Sequence, residues 1–138
     1  MGADREQYVL DSFALLAYLQ GEAGMTRVKE IIRAAEQGAC HVHLSWITLG
    51  EVIYITEREH DLWRAREVLS RIQALPIQML EVTPKVVMDA AHIKATHRLA
   101  YADAFAVVAA QQLKEVVLTG NPEFESVEQL VRVEWLPK

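Results

Sequence analysis

Short apolar runs alternate along this chain with longer segments in which apolar residues recur at helical spacing, and this alternation constrains the fold more than any other feature. The runs have the length and composition of buried strands. They predict strands over residues 7–10, 41–44, 77–82, 116–118 and 131–135. Strands that alternate with helices form a largely parallel sheet covered on both faces. We therefore predict an α/β fold with three layers, α/β/α, around a mostly parallel sheet of about five strands.

The segments between these runs carry the signals that begin and end helices. Ser45 and Asp61 are suitable N-caps, and Thr83-Pro84 places a proline at the first helical position. The predicted helices cover about residues 13–20, 28–37, 46–59, 62–75, 84–99 and 102–113. The apolar residues between positions 28 and 72 are assigned either to the core or to a surface that binds a partner.

The bulk composition limits the classes of protein that this chain can belong to. Its 138 residues fit a single domain, predicted over residues 1–138, and 51% hydrophobic with 24% charged residues is ordinary for a soluble protein. The net charge of −5 means that contact with nucleic acid needs a local basic patch or bound metal ions. A single cysteine, Cys40, and the lack of a signal-peptide pattern or a membrane-length apolar run predict a cytoplasmic protein with no membrane partner.

Polar side chains follow two of the predicted strands at the point where each strand ends. Asp11 and Ser12 follow the first strand, and Thr119 and Asn121 follow the fourth. Ligands bind beyond the carboxyl ends of the strands in open α/β sheets, so these four residues are candidates for a site. Asp11 is equally suited to be the N-cap of the next helix. The hydroxyls of Ser12 and Thr119 either support a ligand or bond locally to the turn backbone.

Two further carboxylates lie within apolar stretches of predicted helices. The neighbours of Glu51 one turn away are mostly apolar, and Asp103 is the one acidic residue of an almost wholly small and apolar segment. A buried carboxylate is costly unless it is paired, hydrogen-bonded or bound to a metal. For Glu51 the alternative is a buried ion pair or an edge position. For Asp103 it is a favourable place in the first helical turn, where the helix dipole attracts an anion.

The fold is able to bring the two polar strand ends and the two helical carboxylates, Glu51 and Asp103, together at one edge of the sheet. Like charges repel, so a cluster of carboxylates requires counter-charge. A set of ligands made only of oxygen suits a hard divalent cation such as Mg²⁺ or Mn²⁺. Such ions polarise a phosphodiester and generate hydroxide from bound water.

The residues at this cluster resemble those of the PIN domains, and more narrowly those of the VapC-type toxins of toxin–antitoxin pairs. The matching elements are YVLDSFALLAYL, LSWITLGEV, LAYADAFAVVAA and VVLTGNPEF, which together cover nearly the whole chain in order and spacing. The YADA element followed by a strand and LTG is the most specific of them. The resemblance implies a PIN-like fold.

The resemblance also implies a site and an activity. Four acidic positions in that family hold one or two Mg²⁺ or Mn²⁺ ions, and the activity of the family is that of an RNA endonuclease. Carried over to this chain, the resemblance implies that Asp11, Glu51 and Asp103 are metal ligands and catalytic residues at the first three positions. Asn121 is the catalytic residue at the fourth position, where Asp is usual after Thr-Gly. A cognate antitoxin and a homodimer are implied as partners.

Asn121 departs from the family pattern in a way that has chemical consequences. A carboxamide oxygen is able to ligate a hard cation or orient a water molecule, but it has no formal charge and cannot act as a base. Glu123 and Glu125 lie nearby, and they either compensate for the missing charge or are solvated loop residues.

A basic cluster precedes Asp103 in the segment HIKATHRLAYAD. Lys94, His97 and Arg98 either contact RNA phosphates beside the metal site or form a solvated helix face. Of the other notable side chains, His41 and His43 are interpreted as structural, and the tryptophans at positions 46, 63 and 135 as core or interface residues.

The expected function is therefore that of a divalent-metal-dependent endoribonuclease, the toxin of a toxin–antitoxin pair. One alternative is a PIN-like module that binds RNA or a partner protein without efficient cleavage, because Asn121 weakens the site. A phosphotransfer receiver is a second alternative. The third strand ends in Thr83-Pro84 rather than in a phosphorylatable aspartate, which disfavours it.

Overall fold

The computed structural model describes residues 6–138, so the first five residues of the N-terminal segment considered above lie outside it. Strands and helices alternate along the described chain. They are β1 (Glu6–Leu10), α1 (Ser12–Gln20), α2 (Met25–Glu36), β2 (Cys40–Ser45), α3 (Trp46–Glu59), α4 (Leu62–Gln73), β3 (Ile77–Leu80), α5 (Pro84–Thr96), α6 (Tyr101–Leu113), β4 (Val116–Thr119) and β5 (Arg132–Trp135). A 3₁₀ turn, Pro122–Val127, joins the last two strands and was not predicted.

The strands form one parallel sheet in the order β3-β2-β1-β4-β5. The chain adds β2 and β3 on one side of β1 and then crosses to add β4 and β5 on the other. The strand order therefore reverses between β1 and β4, where Leu10 pairs with Leu118. Crevices at such a reversal are the usual binding sites of open parallel sheets.

Helices cover both faces of the sheet and form two apolar cores. On one face Leu10, Leu44 and Leu118 pack against α1, α2, α3 and α4. On the opposite face Val9 and Val117 pack against α6 and the 3₁₀ turn. Successive strand residues point to opposite faces, which explains how β1 and β4 serve both cores. The predicted three-layer α/β/α architecture is confirmed.

The helix starts follow the predicted capping chemistry. Ser45, Asp61 and Thr83 each accept a hydrogen bond from a backbone N–H of the first turn of the helix that follows. The predicted boundaries differ by a few residues, because β3 ends at Leu80 and α5 ends at Thr96.

The aromatic surface corrects one sequence-based interpretation. Trp46, Trp63 and Trp135 are all exposed, Trp63 with 78% of its surface accessible, so the core interpretation of these residues is wrong. The interface interpretation stays a prediction. Among the helices of residues 6–138, none combines the length and the apolar character needed to cross a bilayer.

Candidate active site

The reversal point between β1 and β4 carries polar residues on both strands. Asp11 directly follows β1, and Thr119 is the last residue of β4. Helix α6, which packs against both strands, brings Asp103 to the same region. Asp11, Asp103 and Thr119 are all buried, although they are polar. The three side chains are linked through hydrogen bonds, as described below.

Asp11 uses its two carboxylate oxygens differently. Oδ1 accepts a hydrogen bond from the backbone N–H of Ala14 at 2.9 Å and so caps α1. Oδ2 accepts a short hydrogen bond from the hydroxyl of Thr119. The N-cap interpretation is thus confirmed for one oxygen, while the other oxygen joins Asp11 to the end of β4.

Burial raises the pKa of Asp11 to about 7, because a carboxylate loses hydration when it is 1% exposed. The hydrogen bonds from Thr119 and Ala14 lower this pKa, and the negative charge of Glu51 raises it further. The balance means that the folded chain disfavours the ionised form of Asp11 at this position.

Asp103 lies in the first turn of α6, as predicted, and is 5% exposed. Its Oδ2 accepts a hydrogen bond from the side-chain amide of Asn121 at 3.3 Å. Burial raises the pKa of Asp103 to about 7, and the negative charges of Asp11, Glu51 and Glu123 add to the effect. The hydrogen bond from Asn121 lowers this pKa but does not offset the combined effect.

Glu51 extends from α3, which packs against both α1 and α6. The side chain is half-buried, and its Oε1 is buried without a hydrogen-bond partner. The five salt bridges found within residues 6–138 include none of Glu51, Asp11 or Asp103. A buried ion pair therefore does not account for Glu51 in the described part of the chain.

The charge at this edge suits a divalent cation, since three acidic side chains influence one another without a cationic partner. Within residues 6–138, however, no three His, Cys, Asp or Glu side chains form a ready set of metal ligands. Mg²⁺ is commonly held by one or two carboxylates and keeps several water ligands. Asp11 and Asp103 supply the two buried carboxylates that such a mode of binding requires.

The two predicted hydroxyl residues behave differently. Thr119 donates to Asp11 and accepts a hydrogen bond from the backbone N–H of Asn121 at 3.0 Å. Ser12 is the first residue of α1 and lines a groove with Gly120 and Asn121, but its hydroxyl has no hydrogen bond within residues 6–138. Thr119 alone of the two is integrated into the carboxylate network.

Asn121 lies between the two buried aspartates in the hydrogen-bond network. Its side-chain oxygen accepts a hydrogen bond from the backbone N–H of Glu123 at 3.0 Å, and its amide group donates to Asp103. The oxygen that the sequence offers as a metal ligand thus also caps the 3₁₀ turn.

The basic cluster is divided between two cavities. Lys94 and Arg98 line a cavity of about 610 Å³ together with Pro122 and Glu123, beside the Asn121 turn. His97 lines a separate cavity, and its Nδ1 lies 2.9 Å from the hydroxyl of Thr96. The structure brings Lys94 and Arg98, but not His97, into one cavity with Glu123, and none of Asp11, Glu51 and Asp103 lines that cavity.

One contact at the site has no strong signal in the sequence. An oxygen of Glu123 accepts a hydrogen bond from the backbone N–H of Ala100 at 3.2 Å. Ala100 is the N-cap residue of α6 and has no capping side chain of its own. The absence of Ser, Thr, Asp or Asn directly before α6 was a weak indication that another segment caps this helix.

Comparison with known proteins agrees with this geometry. A family model described as the PIN domain matches residues 8–130. A search of curated protein sequences finds no match.

Several solved toxin–antitoxin structures share the fold. The Mycobacterium tuberculosis toxin VapC20, described as cleaving the sarcin–ricin loop, superposes with a TM-score of 0.71 at 18% identity over 94% of this chain and 99% of that one. For DNA-bound VapBC from Salmonella typhimurium the TM-score is 0.70 at 20% identity, over 94% and 97%. VapBC2 from Rickettsia felis, bound to a DNA fragment from its promoter, superposes with a TM-score of 0.72 at 14% identity over 95% of this chain and 99% of that one.

At these identities the structural likeness shows the fold alone. The family match is independent of it and covers most of the chain. The four elements that carried the resemblance in the sequence all lie within the matched residues. The chain belongs to the PIN domain family.

Proposed function

We propose that this protein is an Mg²⁺- or Mn²⁺-dependent endoribonuclease that acts as the toxin of a toxin–antitoxin pair. The observation that carries the proposal is the pair of buried aspartates, Asp11 and Asp103, at the strand reversal. Each has a pKa raised to about 7, and neither has a cationic partner within residues 6–138. A bound divalent cation supplies the missing counter-charge.

In the proposed reaction Asp11 and Asp103 hold the cation, which when bound activates a water molecule and neutralises charge on the phosphate under attack. Thr119 fixes the orientation of Asp11 by its hydrogen bond. Glu51 offers a buried, unpartnered oxygen that is available to accept a hydrogen bond from a water molecule in the site. The oxygen of that water would form a new P–O bond as one P–O ester bond of the RNA backbone breaks, and the proton that the water loses balances the proton that the leaving oxygen takes up.

The cavity lined by Lys94 and Arg98 is the proposed path of the RNA backbone. Both side chains are exposed, and neither takes part in a salt bridge found within residues 6–138. Side chains of this kind contact phosphates without reading the base sequence. His97 is the weaker candidate for RNA contact, because it faces a different cavity.

An antitoxin and a second copy of the chain are the proposed protein partners, acting in the cytoplasm where RNA is available. Exposed apolar residues on the α3–α4 hairpin support a binding surface there, since Tyr54 is 52% exposed and Trp63 is 78% exposed. Two of the solved structures that share the fold are VapBC complexes of other organisms.

A second candidate is a PIN module that binds RNA or a partner but cleaves poorly. Asn121 supports it, because the fourth position has no charge and its oxygen is already bonded to the backbone of Glu123. This candidate predicts measurable RNA binding with little or no cleavage at physiological Mg²⁺.

The two candidates are separated by cleavage of a bulk RNA pool with the purified chain in Mg²⁺ or Mn²⁺. The set of samples includes an EDTA control, Asp103→Asn and Asn121→Asp. We expect cleavage by the natural chain that is lost with EDTA and with Asp103→Asn. If Asn121→Asp alone cleaves, the binding module is favoured. If every folded, antitoxin-free sample is silent, the nuclease assignment fails.

A further inference from the structure

A continuous path of hydrogen bonds joins the two buried aspartates through the turn after β4. The hydroxyl of Thr119 donates to Oδ2 of Asp11 and accepts from the backbone N–H of Asn121. The side-chain amide of Asn121 then donates to Oδ2 of Asp103 at 3.3 Å. One residue, Asn121, thus completes a connection between carboxylates that lie 92 positions apart in the chain (103 minus 11).

A second set of contacts holds Asn121 in the orientation that this connection requires. Its Oδ1 accepts from the N–H of Glu123 at 3.0 Å, so the amide nitrogen is the atom that faces Asp103. The side chain of Glu123 accepts in turn from the N–H of Ala100 at 3.2 Å. The start of α6 and the turn after β4 are therefore joined at two points, Ala100 to Glu123 and Asp103 to Asn121.

The turn itself has little freedom to move. Gly120 is buried, and a Cβ at this position would clash with the ring of Phe13. The hydroxyl of Ser126 adds a hydrogen bond to the carbonyl of Arg98, three residues before the start of α6. Packing at Gly120 and bonding at Ser126 both restrict the turn, so Asn121 approaches Asp103 from a fixed position.

We propose that Asn121 is a positioning residue, which sets the separation of Asp11 and Asp103 by donating to Asp103, and that it is not a weakened copy of an acidic ligand. The proposal rests on the proposed function, since the two aspartates are the proposed metal ligands. An aspartate at position 121 has no proton to donate when ionised, and it would place a like charge within hydrogen-bonding range of Asp103. The amide therefore performs a task here that the usual acid does not.

The test compares Mn²⁺ affinity, measured by isothermal titration calorimetry, among the natural chain, Asn121→Asp and Asn121→Ala. The matched control is Gln129→Glu, which makes the same amide-to-acid change at an exposed position of the neighbouring loop. Residues that orient metal ligands lower affinity about 10- to 100-fold when they are removed. We expect a loss of this size in both Asn121 variants and an unchanged affinity in Gln129→Glu.

Two results would overturn the proposal. If Asn121→Asp binds Mn²⁺ more tightly than the natural chain, position 121 is a ligand position that has lost its charge. If Asn121→Ala retains full affinity, the hydrogen bond to Asp103 does not position the site. Cleavage by the natural chain would leave the proposed function standing in either case.

A measurement without metal keeps the inference testable if the natural chain neither binds Mn²⁺ nor cleaves RNA. In EDTA at pH 8, Asn121→Asp keeps the oxygen that accepts from Glu123 but sets two carboxylates against each other, so it should lower the thermal midpoint of the natural chain more than that of Asp103→Asn. Gln129→Glu should match the natural chain. An equal lowering of the midpoint by Asn121→Asp in the natural chain and in Asp103→Asn would show that Asn121 does not contact Asp103 in solution.

Discussion

Two aspartates begin helices in this protein with the same local chemistry but in very different surroundings. Asp11 accepts from the N–H of Ala14 at 2.9 Å, and Asp61 accepts from the N–H of Arg64 at 2.7 Å. Asp61 is exposed, whereas Asp11 is 1% exposed and bonds through its second oxygen to Thr119. A helix cap therefore explains Asp61 fully but explains only one of the two oxygens of Asp11.

The difference shows how to separate structural from functional carboxylates. An exposed cap retains its hydration and needs no other partner. Asp11 is a buried cap that also faces Asp103 and Glu51, so it loses hydration and is repelled by their negative charges. Capping a helix requires neither of these costs. The fold tolerates this cost at Asp11, and a cation site accounts for it.

The largest expected effect comes from replacing each aspartate by asparagine. Asparagine caps helices about as well as aspartate, so both Asp11→Asn and Asp61→Asn should remain folded. Asp11→Asn removes a charge from the proposed metal site and should lower RNA cleavage and Mn²⁺ affinity at least about 100-fold, beyond the range seen for residues that only orient ligands. Cleavage assays and calorimetry on the same preparations measure both quantities.

Asp61→Asn is the control, with activity and affinity expected to equal those of the natural chain. If both variants kept full activity, Asp11 would be a helix cap only, as Asp61 is, and its assignment to the metal site would be wrong. Circular dichroism establishes that any loss in Asp11→Asn does not come from unfolding.

The sequence predicted much of this contrast because its signals are local. Strand and helix periods located the carboxyl ends of β1 and β4, and the parallel connections placed Asp11 and Thr119 at one edge. Asp61 was recognised as a cap from its place before an amphipathic segment. These features depend on residues that are neighbours in the chain.

The parts that the sequence did not predict depend on contacts between distant segments. The hydrogen bond from Ala100 to Glu123 spans 23 positions, and the direction in which the amide of Asn121 points follows from the 3₁₀ turn beside it. The division of the basic cluster, with His97 apart from Arg98, follows from the end of α5 at Thr96. Trp63 is exposed although its residue type favours burial. No local pattern determines these outcomes.

The second prediction concerns the pH dependence of stability in the absence of metal. The pKa values of Asp11 and Asp103 are raised in the folded chain from an ordinary 3.8 to about 7. The folded state therefore binds protons more tightly than the unfolded state between these values. The stabilisation is fully present below pH 3.8 and is lost as the pH rises through about 7, so the free energy of unfolding in EDTA should fall over this window.

Divalent cation should reverse this loss, because it binds the ionised carboxylates. Urea unfolding at a series of pH values, with EDTA or with Mn²⁺, measures the effect. Asp11→Asn should flatten the dependence in EDTA, whereas Asp61→Asn should leave it as it is in the natural chain. A pH profile that Asp11→Asn does not change would contradict the assignment of Asp11 as a buried, uncompensated acid.

The smallest expected effect tests the structural half of the comparison. Removing the capping oxygen with Asp61→Ala should lower the free energy of unfolding by about 1 kcal/mol, a typical loss for an N-cap, and Asp61→Asn should restore it. RNA cleavage should not change in either variant, since α4 packs against α3 and contributes no residue to the site. Urea unfolding at pH 7 and the cleavage assay decide the outcome together. The contrary result is a fall in cleavage for Asp61→Ala at a temperature where the variant is fully folded. The start of α4 would then act on the site, and Asp61 could not be treated as a purely structural cap in contrast to Asp11.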